Sequence, residues 1–424
     1  MTSERECYVY IVPPRQTQFV TAGRFRYKET GGGGTVGEFI YGRRYRARSD
    51  AVELDPVDLT LQPGPFETAK MGGLFGAIRD AMPDFWGRKV IEHHIRGPLC
   101  DMDYLLRAPD DRAGALGFGL NAEPPFPENR FNRTLDLERL QRAADAIIDD
   151  DPDRAGSAGQ QAEDLLLLGG TSMGGARPKA VVEDDDAMWI AKFGRADDRY
   201  NQPRTEHALL ELAKVCGLNS ADSRLTTVAG RDALLVRRFD RDRVETGYHR
   251  HRMVSAVTLL RTDDDATART DWSYLLLADE IRRVSMQPGA DLRELYGRMV
   301  FNAAISNLDD HPRNHAILAK EEGWRLSPAY DLTPSPIIAQ DNRNLALDCS
   351  LQGRSANKVN LLSGHGRFLL LREDAERIFS AIIETVRSQW HAVMRRAGVT
   401  ETDCERIARA FLYNGLRFDG EGRC

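Results

Sequence analysis

The chain has 424 residues, 42% of them hydrophobic and 29% charged, too long for a single core and consistent with two or three domains. Its formal net charge of −6 argues against the broad phosphate-neutralising surface of a protein that binds DNA by itself. No apolar stretch approaches the roughly 18 residues of a membrane span, the opening "MTSERECYVYIVPP" is no secretory leader, and the six scattered cysteines form neither a zinc motif nor a disulfide framework, so a reducing, cytoplasmic location without a membrane partner is expected.

Taken in chain order, residues 1 to about 60 alternate as strands do ("CYVYIV", "FRYKET", "GEFIYG", "AVELDPVDLTL") and predict a small β-rich unit. The run Gly31 to Gly34 reads as a hairpin tip, because no lysine follows it closely and no helix opens after it. Helical and turn signals come next, in "GGLFGAIRDAMPDFWGRKVIEHHI" and "MDYLLRAPDDRAGALGFGL". His93 and His94 lie there without a carboxylate or cysteine at metal spacing and read as surface or capping residues. "NAEPPFPENRFNR" (Asn121 to Arg133) reads as a linker and the acidic run from Ile147 to Asp164 as a solvated loop. From Leu165 the pattern is apolar run, glycine loop, a strand over 179–183, an acidic turn and a strand over 187–193. A helix follows over 205–218, with Leu209, Leu212, Ala213 and Cys216 at helical spacing and Gly217 closing it, and then a strand over 233–239. Helices dominate the rest. The last, over 373–398, carries Ile378, Ile382, Val386, Trp390, Val393 and Met394 as a core stripe.

The segment from Ala304 to Pro336, "AISNLDDHPRNHAILAKEEGWRLSPAYDLTPSP", carries the chemistry. Protein kinases place a proton-accepting aspartate five residues before a magnesium-binding asparagine, and Asp309 and Asn314 have that spacing. Asp310 stands five before His315, a poor magnesium ligand, so the count selects Asp309. Beyond Asn314 the pattern predicts a hairpin, "HAILAK", "EEG", "WRLSP", that returns Asp331 beside Asn314 as a second metal ligand. A kinase also needs a strand lysine paired with a helix glutamate. Lys192, on an apolar strand face, and Glu206, at the start of the next helix, supply them. In that order the glycines before Lys179 read as a phosphate cover, and the absence of GKS or GKT disfavours a P-loop.

These motifs resemble the HipA family of serine/threonine kinase toxins from bacterial toxin–antitoxin systems, over most of the chain. "TSMGGARPKAVV" looks like the family's glycine loop, "RRFDR" like its hinge, and "NLDDHPRNH" with "LSPAYDL" like its catalytic and metal motifs. "PDFWGRKV" and "DDRAGALGF" resemble its N-terminal domain. The resemblance implies an α+β, protein-kinase-like two-lobe fold with a β-rich N-terminal domain: 1–120 as that domain, 121–240 as the kinase N-lobe and 241–424 as the helical C-lobe. It implies Ser172 as an autophosphorylated serine, with Gly174, Gly175, Ala176, Arg177, Pro178 and Lys179 as the nucleotide loop. Lys192 would bind the ATP phosphates and Arg237, Arg238 and Phe239 would meet adenine, while His311, Pro312, Arg313, Asn314 and Asp331 complete the ATP and Mg2+ site beside Asp309. Asp240 and Arg241 are expected to be structural. Met173 before the glycines and Pro312 after the aspartates depart from the family pattern.

The implied function is an ATP-dependent serine/threonine protein kinase held by a HipB-like helix-turn-helix antitoxin, reaching operator DNA through it. An aminoacyl-tRNA synthetase, such as the glutamyl enzyme, is the substrate the resemblance suggests. Two other readings stand beside it: a small-molecule kinase without an antitoxin, against which the N-terminal domain argues, and a non-catalytic pseudokinase, against which Lys192, Asp309, Asn314 and Asp331 together argue.

Overall fold

The computed structural model describes residues 4–29, 34–95, 97–127, 131–149, 177–263, 265–321, 323–335 and 342–417. The first sheet has five strands in the order Pro65–Thr68, Thr35–Tyr41, Val20–Glu29, Glu4–Ile11, Leu116–Gly119, each antiparallel to its neighbours. Period-two alternation sends Cys7, Val9 and Ile11 to one face, where they meet Phe25 and Phe39 in the main core. Val20–Glu29 and Thr35–Tyr41 pair up to Glu29 and Thr35, so the glycine run joins two antiparallel neighbours, although Gly31 to Gly33 lie outside the described residues.

The strand expected over 51–61 does not form. Asp55 is fully buried and its Oδ1 accepts the N–H groups of Val57, Asp58 and Leu59 at 2.9, 2.6 and 3.0 Å. This local turn, at an Asp-Pro pair, captures the donors a ladder would need.

A second sheet runs Asn132–Arg133, Lys179–Glu183, Met188–Phe193, Arg231–Arg237, Ser223–Val228. Its outermost strand comes from the expected linker: Asn132 and Arg133 pair in parallel with Val182 and Glu183. Phe131 anchors them, buried with Val181, Met188 and Tyr248, and a two-residue strand leaves no periodic signal to read. Trp86 and Val90 of helix Phe85–His94 pack on the opposite face with Leu140 and Ile147 of helix Leu137–Asp149. The chain before residue 120 thus contributes a helix to this lobe as well as the first sheet. His93 lies on that helix, and among the described residues no group of three or more His, Cys, Asp or Glu side chains is gathered to hold a metal ion. Of the expected acidic loop, 147–149 continue helix Leu137–Asp149 and 150–164 lie outside the described residues.

Helix Gln202–Val215 opens on Asn201, whose side chain caps the Arg204 N–H at 3.0 Å, with Pro203 in its first turn; Gly217, at φ 80°, turns the chain away. Arg241–Val244 and Gly247–Arg250 form a hairpin, and Arg252–Ser255, Ala316–Ala319 and Arg325–Leu326 a small antiparallel sheet. The last two are the hairpin expected after Asn314. The short strands of 241–255 interrupt a region that reads as helical. Below lie helices Tyr274–Val284, Pro288–Ile305 and Arg372–Arg396. The expected stripe on the last of these is core: Ile382, Val386, Val393 and Met394 are buried, and Ile378 and Trp390 pack against them. No helix among the described residues is long and apolar enough to cross a membrane.

Candidate active site

A cleft of roughly 770 Å3, counting its open mouth, separates the two lobes. Ile190 and Lys192 line it from one strand, Val236 to Phe239 from the next, and Arg313, Asn314, Tyr330 and Asp331 from the far side. Its apolar walls and few converging polar groups suit a planar ligand with a charged tail.

At one end the Lys192 ammonium lies 2.6 Å from Glu206 Oε1 and 2.7 Å from Asp331 Oδ1. Three charges therefore meet where the chain places a strand, a helix start and a loop. Burial alone would push the lysine down, but the two carboxylates reverse this and hold its pKa above the ordinary value. Burial also opposes ionisation of Asp331, yet Lys192 outweighs it and the Asp331 pKa is lowered; at Glu206 burial prevails and the pKa is raised. Asp331 adopts φ 58°, the left-handed region that few side chains visit. Such backbone persists where its surroundings impose it: Tyr330 donates its hydroxyl to Arg313 O at 2.6 Å and packs on Phe239, with ring centroids 5.7 Å apart.

The two adjacent aspartates face opposite ways. Asp310 is 1% exposed, takes a short hydrogen bond from the Tyr274 hydroxyl and has His315 Nε2 2.8 Å from its Oδ1. Asp309 is exposed at the surface. Partial desolvation raises its pKa, opposed by His311 and assisted by Asp331 and Asp310. Its carbonyl accepts from His311 N at 2.9 Å and Asn314 Nδ2 at 3.0 Å, which ties it to the 3-10 turn Pro312–Asn314. With its nitrogen so engaged, Asn314 has its Oδ1 left to offer. That oxygen and the Asp331 carboxylate are the hard donors a magnesium ion takes, the remaining positions falling to phosphate and water, and the residues present fit the ion. His311 Nδ1 is buried without a hydrogen-bond partner beside them.

The other expected site residues divide. Phe239 lines the cleft and Arg237 is exposed at its edge. The Arg238 guanidinium is fully buried and turned away, donating to Asp240 Oδ1 and Oδ2 at 2.9 and 2.7 Å and to the carbonyls of Asp111 and Arg112 at 2.5 and 2.8 Å. Asp240 also accepts from Arg241 at 2.8 Å and from Gly114 N at 2.9 Å, the structural role expected of both. Arg177 makes a two-pronged contact with Asp198 at 2.7 and 2.6 Å, and Pro178 O accepts from Phe193 N. The Lys179 ammonium is buried on Asp84 Oδ2 at 2.6 Å. Ser172, Gly174, Gly175 and Ala176 lie outside the described residues.

Sequence reasoning missed Asp80, Ala113, Met253 and Ser255 on the cleft wall. Asp80 accepts from Ser255 N and Oγ, both at 2.7 Å, and from Thr258 Oγ1 at 2.6 Å. Nothing in local spacing links residue 80 to residue 255; only the fold does.

Residues 171–390 match the model of the HipA-like C-terminal domain. Two relatives are each 27% identical: "Putative kinase Y4mE" of Sinorhizobium fredii, over 63% of this chain and 65% of its own length, and "Putative kinase" of Haemophilus influenzae, over 46% and 62%. The chain thus spans less than two thirds of the length of either. The HipA chain of a Shewanella oneidensis complex of HipA, HipB and operator DNA superposes with a TM-score of 0.69 at 17% identity, covering 95% of this chain and 94% of that one. The fold is therefore the α+β two-lobe one with a sheet-rich N-terminal region, and on a match to more than half of its length the chain belongs to the HipA-like C-terminal domain family.

Proposed function

We propose that the chain is an ATP-dependent serine/threonine protein kinase of the HipA toxin type. One observation carries the reading: Lys192, Glu206 and Asp331 converge at one end of an apolar interlobe cleft that Asn314 also lines. Adenine would lie between Ile190, Val236, Phe239 and Tyr330, with the phosphates at Lys192. Asp309 would orient a serine or threonine hydroxyl and take its proton as the oxygen bonds to the γ-phosphorus and the bond to ADP breaks. Asn314 and Asp331 would hold Mg2+, which when bound neutralises charge on the phosphates. Asp331 would then exchange its contact with Lys192 for the ion, leaving Lys192 to the phosphates and Glu206. This predicts that Asp331→Ala weakens nucleotide binding only when magnesium is present. Equal weakening with and without the metal, in titrations with a fluorescent ATP analogue, would make Asp331 structural.

We further propose a HipB-like antitoxin as partner and operator DNA reached through it, in keeping with the HipA, HipB and operator DNA complex whose HipA fold this chain shares, and, from the sequence resemblance alone, an aminoacyl-tRNA synthetase as substrate. A co-expressed helix-turn-helix protein that copurifies and shifts operator DNA only as the pair would support the partner.

A further inference from the structure

Lys179 and Lys192 stand directly opposite each other in the antiparallel register, so their side chains share one face of the sheet. Like charges so placed repel. Lys192 has Glu206 and Asp331; Lys179 has Asp84, at 2.6 Å, with the two side chains 2% and 4% exposed. Asp84 belongs to the first part of the chain and does double duty. Its Oδ1 accepts Gly87 N at 2.8 Å and caps helix Phe85–His94, while Oδ2 takes the ammonium. Two residues on, Trp86 Nε1 donates to Lys179 O at 3.0 Å, and its ring packs with Ala180 and Ala191, which alternation puts on the other face. The turn at 84–86 therefore straddles the end of strand Lys179–Glu183 and grips Lys179 at both its ammonium and its carbonyl.

We infer that Asp84 is a positioning residue for the nucleotide phosphates, fixing the Lys179 ammonium beside Lys192 as a second cation at that end of the cleft. The inference rests on the kinase reading above. Lys192 lines the cleft and neither Lys179 nor Asp84 does; the cross-strand register sets Lys179 next to Lys192, so the buried pair adds its charge from behind the lysine that would meet the phosphates. In keeping with this, Lys179 is among the groups that stabilise ionised Asp331. Without the carboxylate, the buried ammonium loses the charged partner that sets its position beside Lys192, and the positive charge behind that end of the cleft is displaced or weakened.

The test uses the full chain. Asp84→Asn keeps a good helix cap, so the helix should persist, and the melting transition with far-ultraviolet dichroism checks that. The expected result is an ATP KM, and a dissociation constant for a fluorescent ATP analogue with magnesium, raised about tenfold with kcat within about threefold. Lys179→Met should show the same, and the double variant should be no worse than Lys179→Met alone. A lowered melting transition or active fraction at unchanged KM and dissociation constant would assign Asp84 to folding alone and overturn the inference, as would strictly additive effects. Wild-type chain that bound no Mg-ATP would overturn the kinase reading and this one together, whereas wild-type binding matched by Asp84→Asn would overturn only this one.

Discussion

Asp309 and Asp310 are identical in chemistry and adjacent in the chain, and their surroundings alone separate them. The proton acceptor must reach a substrate hydroxyl, and Asp309 is exposed while Asp310 is locked under Tyr274 and His315. Asp309→Asn is expected to cut phosphoryl transfer by about 10²–10⁴-fold at unchanged melting temperature. Asp310→Asn should instead lower stability, by about 1–3 kcal/mol for a buried partner left unsatisfied, as a denaturant series would show. Because the Asp309 pKa is raised by desolvation and by Asp331, its carboxylate becomes available only above the ordinary range. The acid limb of kcat/KM should therefore lie above the ordinary aspartate value of about 3.9 in the wild type. An acid limb at or below that value would remove Asp309 from the role.

At the scale of elements, "RRFDR" joins the hinge strand to the segment Asp110 to Gly114 through buried charges. Arg238 and Arg241 both bind Asp240, and Arg250 binds Asp110 at 2.7 and 2.8 Å. Burial opposes ionisation of Asp240, but Arg238 and Arg241 overwhelm it and hold its pKa far below the usual carboxylate range. A depressed folded pKa gives stability that is present above the unfolded value and lost as pH falls through the folded one. Asp240→Asn should thus cost about 3–5 kcal/mol near neutral pH, where it strands two buried guanidinium groups. The difference from wild type should shrink only in strong acid, a trend that urea midpoints measured across pH would reveal.

The same elements mark what a sequence discloses. Lys192, Glu206, Asp309, Asn314 and Asp331 were legible because their spacings follow from local geometry: a strand followed by a helix, and a hairpin that returns the chain. The five-stranded sheet was legible in three strands from alternation. Residues 51–61 alternated too, yet Asp55 captured the backbone donors, a competition that hydrophobic period does not register. Arg238, Lys179 and Asp80 took their partners from segments some 95 to 175 residues away in sequence, and no spacing rule reaches that far.

For the whole molecule, the first part of the chain is built into the cleft. Asp80 and Ala113 line it, Asp84 holds Lys179 and Trp86 fills the core behind the sheet. We propose, from the sequence resemblance, that phosphorylation of Ser172 would silence the kinase, because a phosphoserine in the nucleotide loop would add roughly two negative charges that oppose those of ATP. Incubation with Mg-ATP should add one phosphate to Ser172, seen by intact mass and peptide mapping, and the modified chain should bind ATP far more weakly. Undiminished binding would refute the switch.

On the proposed function, this cleft would transfer the γ-phosphoryl group of ATP to a hydroxyl with Asp309 as the base. The most direct measurement is transfer of radiolabelled γ-phosphate to protein by wild type, Asp309→Asn and Asp310→Asn, side by side with magnesium. Label is expected with wild type, about 10²–10⁴-fold less with Asp309→Asn, and label from whatever fraction of Asp310→Asn remains folded. Full transfer by Asp309→Asn, or none by folded wild type toward itself or any protein offered, would contradict that function.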